Sequence, residues 1–104
     1  MPELTVRATA RREIKAHGVY LEKHASAEVA DGFLAAVKST FEDLARMPRM
    51  GVLCGFRRPS ARHLRRWPVK EFENWLIFYQ AKHDGIEVVH LMHGARDIET
   101  LLDG

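Results

Sequence analysis

Three side chains that could do chemistry stand close together in residues 93–97, His-Gly-Ala-Arg-Asp, at the end of an apolar segment. Cleavage of RNA by attack of a 2′-hydroxyl needs groups that accept and return protons, and cations that stabilise a pentavalent phosphate. His93 could exchange the proton because imidazole titrates near neutral pH, and Arg96 could supply the positive charge. Two plainer roles are the alternatives: a structural role for His93 at the end of a strand, and an ion pair between Arg96 and Asp97 that fixes the following residues.

A segment without acidic residues runs from residue 44 to residue 70. It contains 8 of the 16 Lys and Arg residues, so the rest of the chain carries 8 cations against 14 acids. A positive segment beside a negative remainder creates a field that can steer the protein toward an anionic partner. Trp67 directly follows Arg65 and Arg66 and could stack on a ligand, although core packing is the simpler role. A solvated basic loop is the alternative interpretation of the segment.

The composition argues against several other kinds of site. Cys54 is the only cysteine, so the chain can form no internal disulfide and lacks the paired spacing of a structural zinc site. No apolar run approaches the ~18 residues that a membrane-spanning helix needs. We expect one cytoplasmic domain over residues 1–104, with no metal ion and no cofactor.

The N-terminal half shows the pattern of a strand followed by two helices. Alternation from Leu4 to Thr9 predicts a short strand, and Thr9 is then the expected N-cap of the first helix. Ser26 is expected to cap a second helix, in which apolar residues recur at intervals of three and four until Pro48 ends it. The connection His-Ala-Ser is so short that the two helices should form an antiparallel hairpin.

The C-terminal half changes to strand-like patterns. Residues 63–69, 74–82 and 86–93 each have the length of a strand, and an Asp-Gly pair between the last two is typical of a hairpin turn. These patterns predict an antiparallel meander of three strands. Pro68 cannot donate a ladder hydrogen bond, which indicates an edge or bulged position for the first of them.

The expected fold is therefore an α+β domain with the order β-α-α-β-β-β. The N-terminal strand and the two-helix hairpin would pack on an antiparallel sheet, and a short C-terminal tail would follow. Strict alternation places His90 on the same face as Val88 and Met92, which predicts core packing for this histidine.

The order of these elements, together with three segments, resembles a known family. The segments are FEDLARMPRMG, LRRWPVKEFENWLIFY and VVHLMHGARDIETLL. They are similar to the RelE/ParE superfamily of bacterial toxins from type II toxin-antitoxin systems, and in particular to its ParE-like branch. In that family a second helix ends in a loop like Pro48 to Gly51, and an arginine-bearing strand leads to an aromatic one. The resemblance covers almost the whole chain.

The resemblance implies a compact toxin that arrests growth and can stabilise a plasmid. It implies that a partly disordered antitoxin folds over the toxin to give a hetero-oligomer, and that the antitoxin is a ribbon-helix-helix DNA-binding protein. The target would be DNA gyrase or messenger RNA on the ribosome. Specific DNA binding by this chain alone is not expected.

The two targets would need different residues. Leu76 and Leu102 stand where the RNA-cleaving relatives carry an arginine and a tyrosine, and only Arg96 matches a basic residue of that pattern. The resemblance therefore favours a ParE-like inhibitor of gyrase that does not itself hydrolyse a substrate. The alternatives are a ribosome-dependent endoribonuclease that uses His93, Arg96 and Arg65, and a detoxified module that retains only antitoxin binding.

Two surfaces are predicted from these considerations. The target-binding residues are predicted to be Arg65, Arg66, Trp67, Arg96 and Asp97. The antitoxin is predicted to bind the C-terminal segment and a neighbouring groove left open by the helical hairpin, because the apolar residues of that segment have helical spacing. These apolar residues are Ile98, Leu101 and Leu102.

Overall fold

The computed structural model describes residues 2–94 of the 104-residue chain. That part of the chain forms two α-helices, five strands and a short 3₁₀ turn. In chain order the elements are β1 (Glu3–Val6), α1 (Ala8–His24), α2 (Ala27–Arg46), β2 (Val52–Leu53), the 3₁₀ turn (Pro59–Ala61), β3 (Arg65–Val69), β4 (Phe72–Lys82) and β5 (Gly85–His93). The predicted C-terminal tail lies outside the described residues.

The strands form a mixed sheet in the order β1-β5-β4-β3-β2. The predicted α+β order and the antiparallel meander of β3, β4 and β5 are confirmed. Two features add to the expected antiparallel sheet: β1 pairs in parallel with β5, and the two-residue β2 extends the far edge beyond β3. Parallel neighbours need a long crossover connection, which the helical hairpin and the meander together provide.

The two helices begin differently from one another. Ser26 caps α2 as predicted, because its side chain accepts a hydrogen bond of 3.0 Å from the backbone N–H of Val29. The predicted N-cap of α1 is wrong: Thr9 lies inside the helix, and the N-cap residue is Arg7, whose side chain makes no cap hydrogen bond. The reason is that the β1–β5 ladder ends at Val6, and Arg7 donates its N–H to the carbonyl of Val88.

The core has one large layer between the helices and the sheet. α2 contributes most of the helical side because its apolar stripe faces the strands. A second, smaller cluster covers the opposite face of the sheet, and it consists of Ala61, Leu64, Phe78, Val89 and Met92. The central strands β4 and β5 are therefore covered on both faces, in agreement with their continuous apolar sequences.

Two irregularities interrupt the register of the meander. One lies between Pro68 and Val69, as the proline predicted, and the other lies between Phe78 and Tyr79 on β4. The second irregularity leaves Val89 without a register partner on β4 and changes which residues of β5 share a face. The prediction for His90 is wrong for this reason: it is half-buried, and its Nδ1 lies 3.1 Å from a carboxylate oxygen of Glu13.

Candidate functional site: the arginine strand and the surfaces around it

The loop of residues 48–51, which follows α2, is held by a buried tyrosine. Tyr79 has a fully buried side chain, and its hydroxyl donates a hydrogen bond of 2.8 Å to the carbonyl oxygen of Pro48. The same hydroxyl accepts a hydrogen bond of 2.8 Å from the backbone N–H of Gly51. Burial raises the pKa of Tyr79 above its ordinary value, so the hydroxyl stays protonated and can make both bonds at neutral pH.

Arg65 holds the same loop from β3. Its guanidinium donates a hydrogen bond of 2.8 Å to the carbonyl oxygen of Gly51, and the carbonyl oxygen of Arg49 lies 3.5 Å away. Register explains the convergence, because Arg65 lies directly opposite Tyr79 in the β3–β4 ladder. A Cβ atom on Gly51 would collide with the Tyr79 hydroxyl and would lie 2.9 Å from the backbone oxygen of Arg66. Only glycine fits this close approach.

The structure places Arg65 and Arg66 on opposite faces of the sheet. Successive side chains of a strand point to opposite faces, and Arg65 is directed to the 48–51 loop while Arg66 is exposed on the other side. Arg66 lies close enough to Cys54 for its charge to lower the pKa of that thiol, although burial of the thiol has the larger effect and raises it. The two arginines therefore do not form one patch.

Trp67 is half-buried and packs against the core on the helical side of the sheet. It also lines a surface cavity of about 440 Å³, together with Met47, Met50 and several charged residues. Asp43 at its edge accepts charged hydrogen bonds from Arg46 and from Lys70, whose Nζ lies 2.9 Å away. The hydrogen bond from Lys70 is the main reason that the pKa of Asp43 is lowered. Two members of the basic segment are thus paired with one carboxylate.

His93 lies on β5, two strands away from Arg65 in the sheet. It pairs in register with Trp75, and the two rings contact each other edge to face with centroids 5.0 Å apart. Arg65 is in register with Tyr79, four residues farther along β4, which corresponds to about 13 Å of strand. The structure therefore does not bring together His93 and Arg65, two of the three residues that the nuclease interpretation requires.

Several predicted site residues fall beyond the part of the chain that the structure describes. These are Arg96 and Asp97 of the predicted target surface, and Ile98, Leu101 and Leu102 of the predicted antitoxin surface. Within residues 2–94, no group of three or more His, Cys, Asp or Glu side chains is arranged to hold a metal ion. Neither α1 nor α2 is at once long and apolar enough to cross a membrane.

A cationic face covers the side of the sheet opposite the helices. The loop between β2 and β3 lies on that side, because Phe56, Ala61 and Leu64 pack on the second apolar cluster. We define the cationic face by the exposed arginines of this loop and of β3, namely Arg57, Arg58, Arg62 and Arg66. Half of the eight cations in the acid-free segment therefore share one surface.

An apolar groove lies on the other side of the molecule, between β1, α1 and α2. It has a volume of about 500 Å³ and is lined by Leu4, Val6, Arg11, Ile14, Lys15, Leu34, Val37, Lys38 and Phe41. Leu4 and Leu34 remain 40% and 42% exposed, so the groove presents apolar surface to solvent. Arg11, Lys15 and Lys38 give its rim a positive charge. A groove at the hairpin is predicted by the sequence, but its lining residues are not, because they come from three separate elements.

Comparison with known proteins agrees with this fold. The family model described as the ParE toxin of the type II toxin-antitoxin system parDE matches residues 4–98. No curated protein sequence matches the chain significantly. Among solved structures, one described as the chromosomal ParDE toxin-antitoxin system from P. aeruginosa is similar, with a TM-score of 0.71 at 13% identity. The alignment covers 89% of this chain and 96% of that one.

The chain is a small α+β protein in which a helical hairpin packs on a mixed five-stranded sheet. The family match extends over most of its length, so the chain belongs to the ParE toxin family of type II toxin-antitoxin systems.

Proposed function

We propose that this protein arrests bacterial growth by binding DNA gyrase in the cytoplasm without catalysing a reaction, and that a cognate antitoxin neutralises it. The claim that the protein catalyses no reaction is supported by the structural role of Arg65 and Tyr79. Their polar groups are hydrogen-bonded to the backbone of the 48–51 loop, and His93 lies about 13 Å along the sheet from their position. A nuclease would need such groups directed at one phosphate.

The cationic face is the proposed target surface among the described residues. Its four arginines are exposed and lie on one side of the sheet, where they can steer the toxin to an acidic region of a large partner. Arg66 belongs to it, whereas Arg65 contributes indirectly by fixing the neighbouring loop. Arg96, with Asp97 as its orienting partner, remains part of the proposal from sequence alone.

The apolar groove is the proposed antitoxin site on the described part of the chain. An amphipathic helix can bury its apolar side chains between α1, α2 and β1, and acidic residues on that helix would meet Arg11, Lys15 and Lys38. The solved relative is described as a ParDE toxin-antitoxin system, which supports a partner of the same kind here. We propose that this partner is a ribbon-helix-helix protein, and that Ile98, Leu101 and Leu102 extend the contact.

A growth experiment tests both parts of the proposal. Expression of the chain alone should arrest growth, and co-expression of the antitoxin from the adjacent reading frame should restore it. Leu34→Asp should leave the arrest intact but prevent rescue, because it places a charge in the apolar groove. Val19→Asp is the matched control, since Val19 is 48% exposed on the same hairpin and does not line the groove.

The outcomes separate the remaining alternatives. Normal growth at high soluble expression would contradict a toxic function and would favour a module that only binds antitoxin. Rescue of Leu34→Asp as complete as that of Val19→Asp would show that the antitoxin binds elsewhere.

A further inference from the structure

A small polar cavity lies beside the second apolar cluster and shares no lining residue with the apolar groove. It has a volume of about 170 Å³ and is lined by Arg7, Arg58, Ser60, Ala61, Leu64, Val89 and His90. Its residues come from the N-cap of α1, from the loop around the 3₁₀ turn and from β5. Three of them carry or can carry positive charge, and among the described residues no Asp or Glu belongs to the lining.

Arg7 is fixed in position but not saturated. Its Nε lies 3.0 Å from one carboxylate oxygen of Glu87, and one terminal nitrogen lies 3.4 Å from the other oxygen. A guanidinium has five N–H donors, so this pair leaves several for another ligand. The Nζ of Lys82 also lies 3.5 Å from Glu87, so a single carboxylate serves two cations and cannot neutralise both.

His90 is held in a comparable way. Its Nδ1 faces the carboxylate of Glu13 at 3.1 Å, and Glu13 also accepts the backbone N–H of Leu91 at 3.0 Å. The carboxylate is thereby fixed between the α1 helix and the irregular part of β5. Because the Glu13 carboxylate accepts the proton on Nδ1, Nε2 is the ring nitrogen that remains for a ligand, and it donates to an oxyanion when the ring is the imidazolium. Ser60 adds a hydroxyl, which can donate to an oxyanion.

We propose that this cavity binds a phosphate group. Guanidinium groups match the oxygen atoms of phosphate, and an imidazolium and a hydroxyl add donors from two further elements. The volume of about 170 Å³ is below the roughly 300–1,000 Å³ of pockets that enclose a drug-sized ligand. The cavity therefore holds the phosphate head group, and the rest of the ligand extends to solvent. The proposal does not depend on the identity of the toxin target.

Titration of the full-length protein with inorganic phosphate at constant ionic strength tests the proposal. The ring resonances of His90, followed by NMR, should shift and saturate. Arg58→Gln should weaken the apparent affinity about tenfold or more, because it removes a charged donor from the lining. Arg57→Gln is the matched control: it removes the same charge from the adjacent exposed position, which does not line the cavity, and should leave the affinity unchanged.

Two further probes identify the source of the phosphate. Glycerol phosphate presents a monoester, and a short oligonucleotide without terminal phosphates presents only diesters. Saturation by the monoester alone supports a small phosphorylated ligand, and saturation by the oligonucleotide supports a nucleic acid backbone. The proposal is overturned if the His90 shifts do not saturate, or if Arg57→Gln and Arg58→Gln weaken binding equally. It is also overturned if inorganic phosphate binds and neither organic probe does, which would indicate an adventitious ion only.

Discussion

Removal of one hydroxyl group, in Tyr79→Phe, should destabilise the protein substantially. The hydroxyl makes two hydrogen bonds of 2.8 Å, and the side chain that carries it is fully buried. Its loss leaves the N–H of buried Gly51 and the carbonyl of half-buried Pro48 without this partner. Each such loss costs about 1–3 kcal/mol, and water can reach the carbonyl of Pro48 more easily than the N–H of Gly51.

The expected decrease in the free energy of unfolding is therefore about 2–4 kcal/mol. For a domain of this size, that corresponds to a decrease of roughly 10–20 °C in Tm. Urea unfolding of the full-length protein without antitoxin measures it directly, because a bound partner would raise the apparent stability. Tyr20→Phe is the control: Tyr20 is 39% exposed on α1, and its substitution should cost less than about 1 kcal/mol.

Two results would refute this reasoning. A cost below about 1 kcal/mol for Tyr79→Phe would mean that the hydroxyl does not hold the 48–51 loop. The second result is a Tyr79→Phe variant that has normal stability but no longer arrests growth. That result would assign the hydroxyl a direct role at the target and would favour an RNA-cleaving mechanism.

Three further predictions follow from the same contacts. Gly51→Ala should unfold the protein or strongly destabilise it in a thermal melt. Gly32→Ala is the control and should stabilise α2 by about 0.5–1 kcal/mol, because no atom lies within 4 Å of the added Cβ. Equal effects of the two changes would contradict the close approach at Gly51. Burial raises the pKa of Tyr79 above that of an unfolded tyrosine, so the stability that this group contributes should be complete below about pH 10 and should be lost as the pH rises through the folded pKa. The free energy of unfolding of Tyr79→Phe should therefore decrease less at alkaline pH than that of the unchanged protein. An identical decrease in both proteins would show that Tyr79 is not the group responsible. Arg66→Ala should weaken growth arrest at equal soluble expression while leaving the urea midpoint nearly unchanged, because the side chain is exposed; full toxicity of this variant would remove Arg66 from the proposed target surface.

Periodicity predicts the regular elements of this fold well. The stripe of α2 and its cap at Ser26 follow from residues that are close in sequence, and so does the position of the hairpin between β4 and β5. The predicted turn residues are wrong by one position: the turn consists of His83 and Asp84, and Gly85 already pairs with Lys82 as the first residue of β5. Local patterns predict these features because the physical causes are local: hydrogen-bond capping, one apolar face and a tight turn. The start of α1 is less predictable, since the length of β1 is decided by its pairing with the distant β5.

The candidate site depends on contacts that no local pattern contains. Tyr79 and Gly51 are separated by 28 residues in the chain, and sequence alone gives Tyr79 only a generic hydroxyl. The resemblance identified the loop from Pro48 to Gly51 but not the side chains that hold it. The period of two predicts opposite faces for Arg65 and Arg66, yet the concentration of charge suggested a single patch. Burial and register decide such cases, and both require the folded structure.

The irregularity on β4 and β5 shows how one residue can change a prediction. Strict alternation would place the side chains of His90 and Val88 on the same face of the sheet, but the register shift between Phe78 and Tyr79 breaks the alternation between them. His90 instead meets Glu13 of α1 and lines the polar cavity. A register shift leaves no clear signal in an apolar strand, because its residues are suited to either face.

Parallel assays of the purified toxin on gyrase and on ribosomes test the central claim most directly. One assay measures DNA supercoiling by gyrase, and the other maps cuts in ribosome-bound messenger RNA. The proposed function predicts inhibition of supercoiling that depends on the ratio of toxin to gyrase, with no codon-positioned cuts in the RNA. Codon-positioned cuts that disappear in His93→Ala, together with unaffected supercoiling, would contradict it.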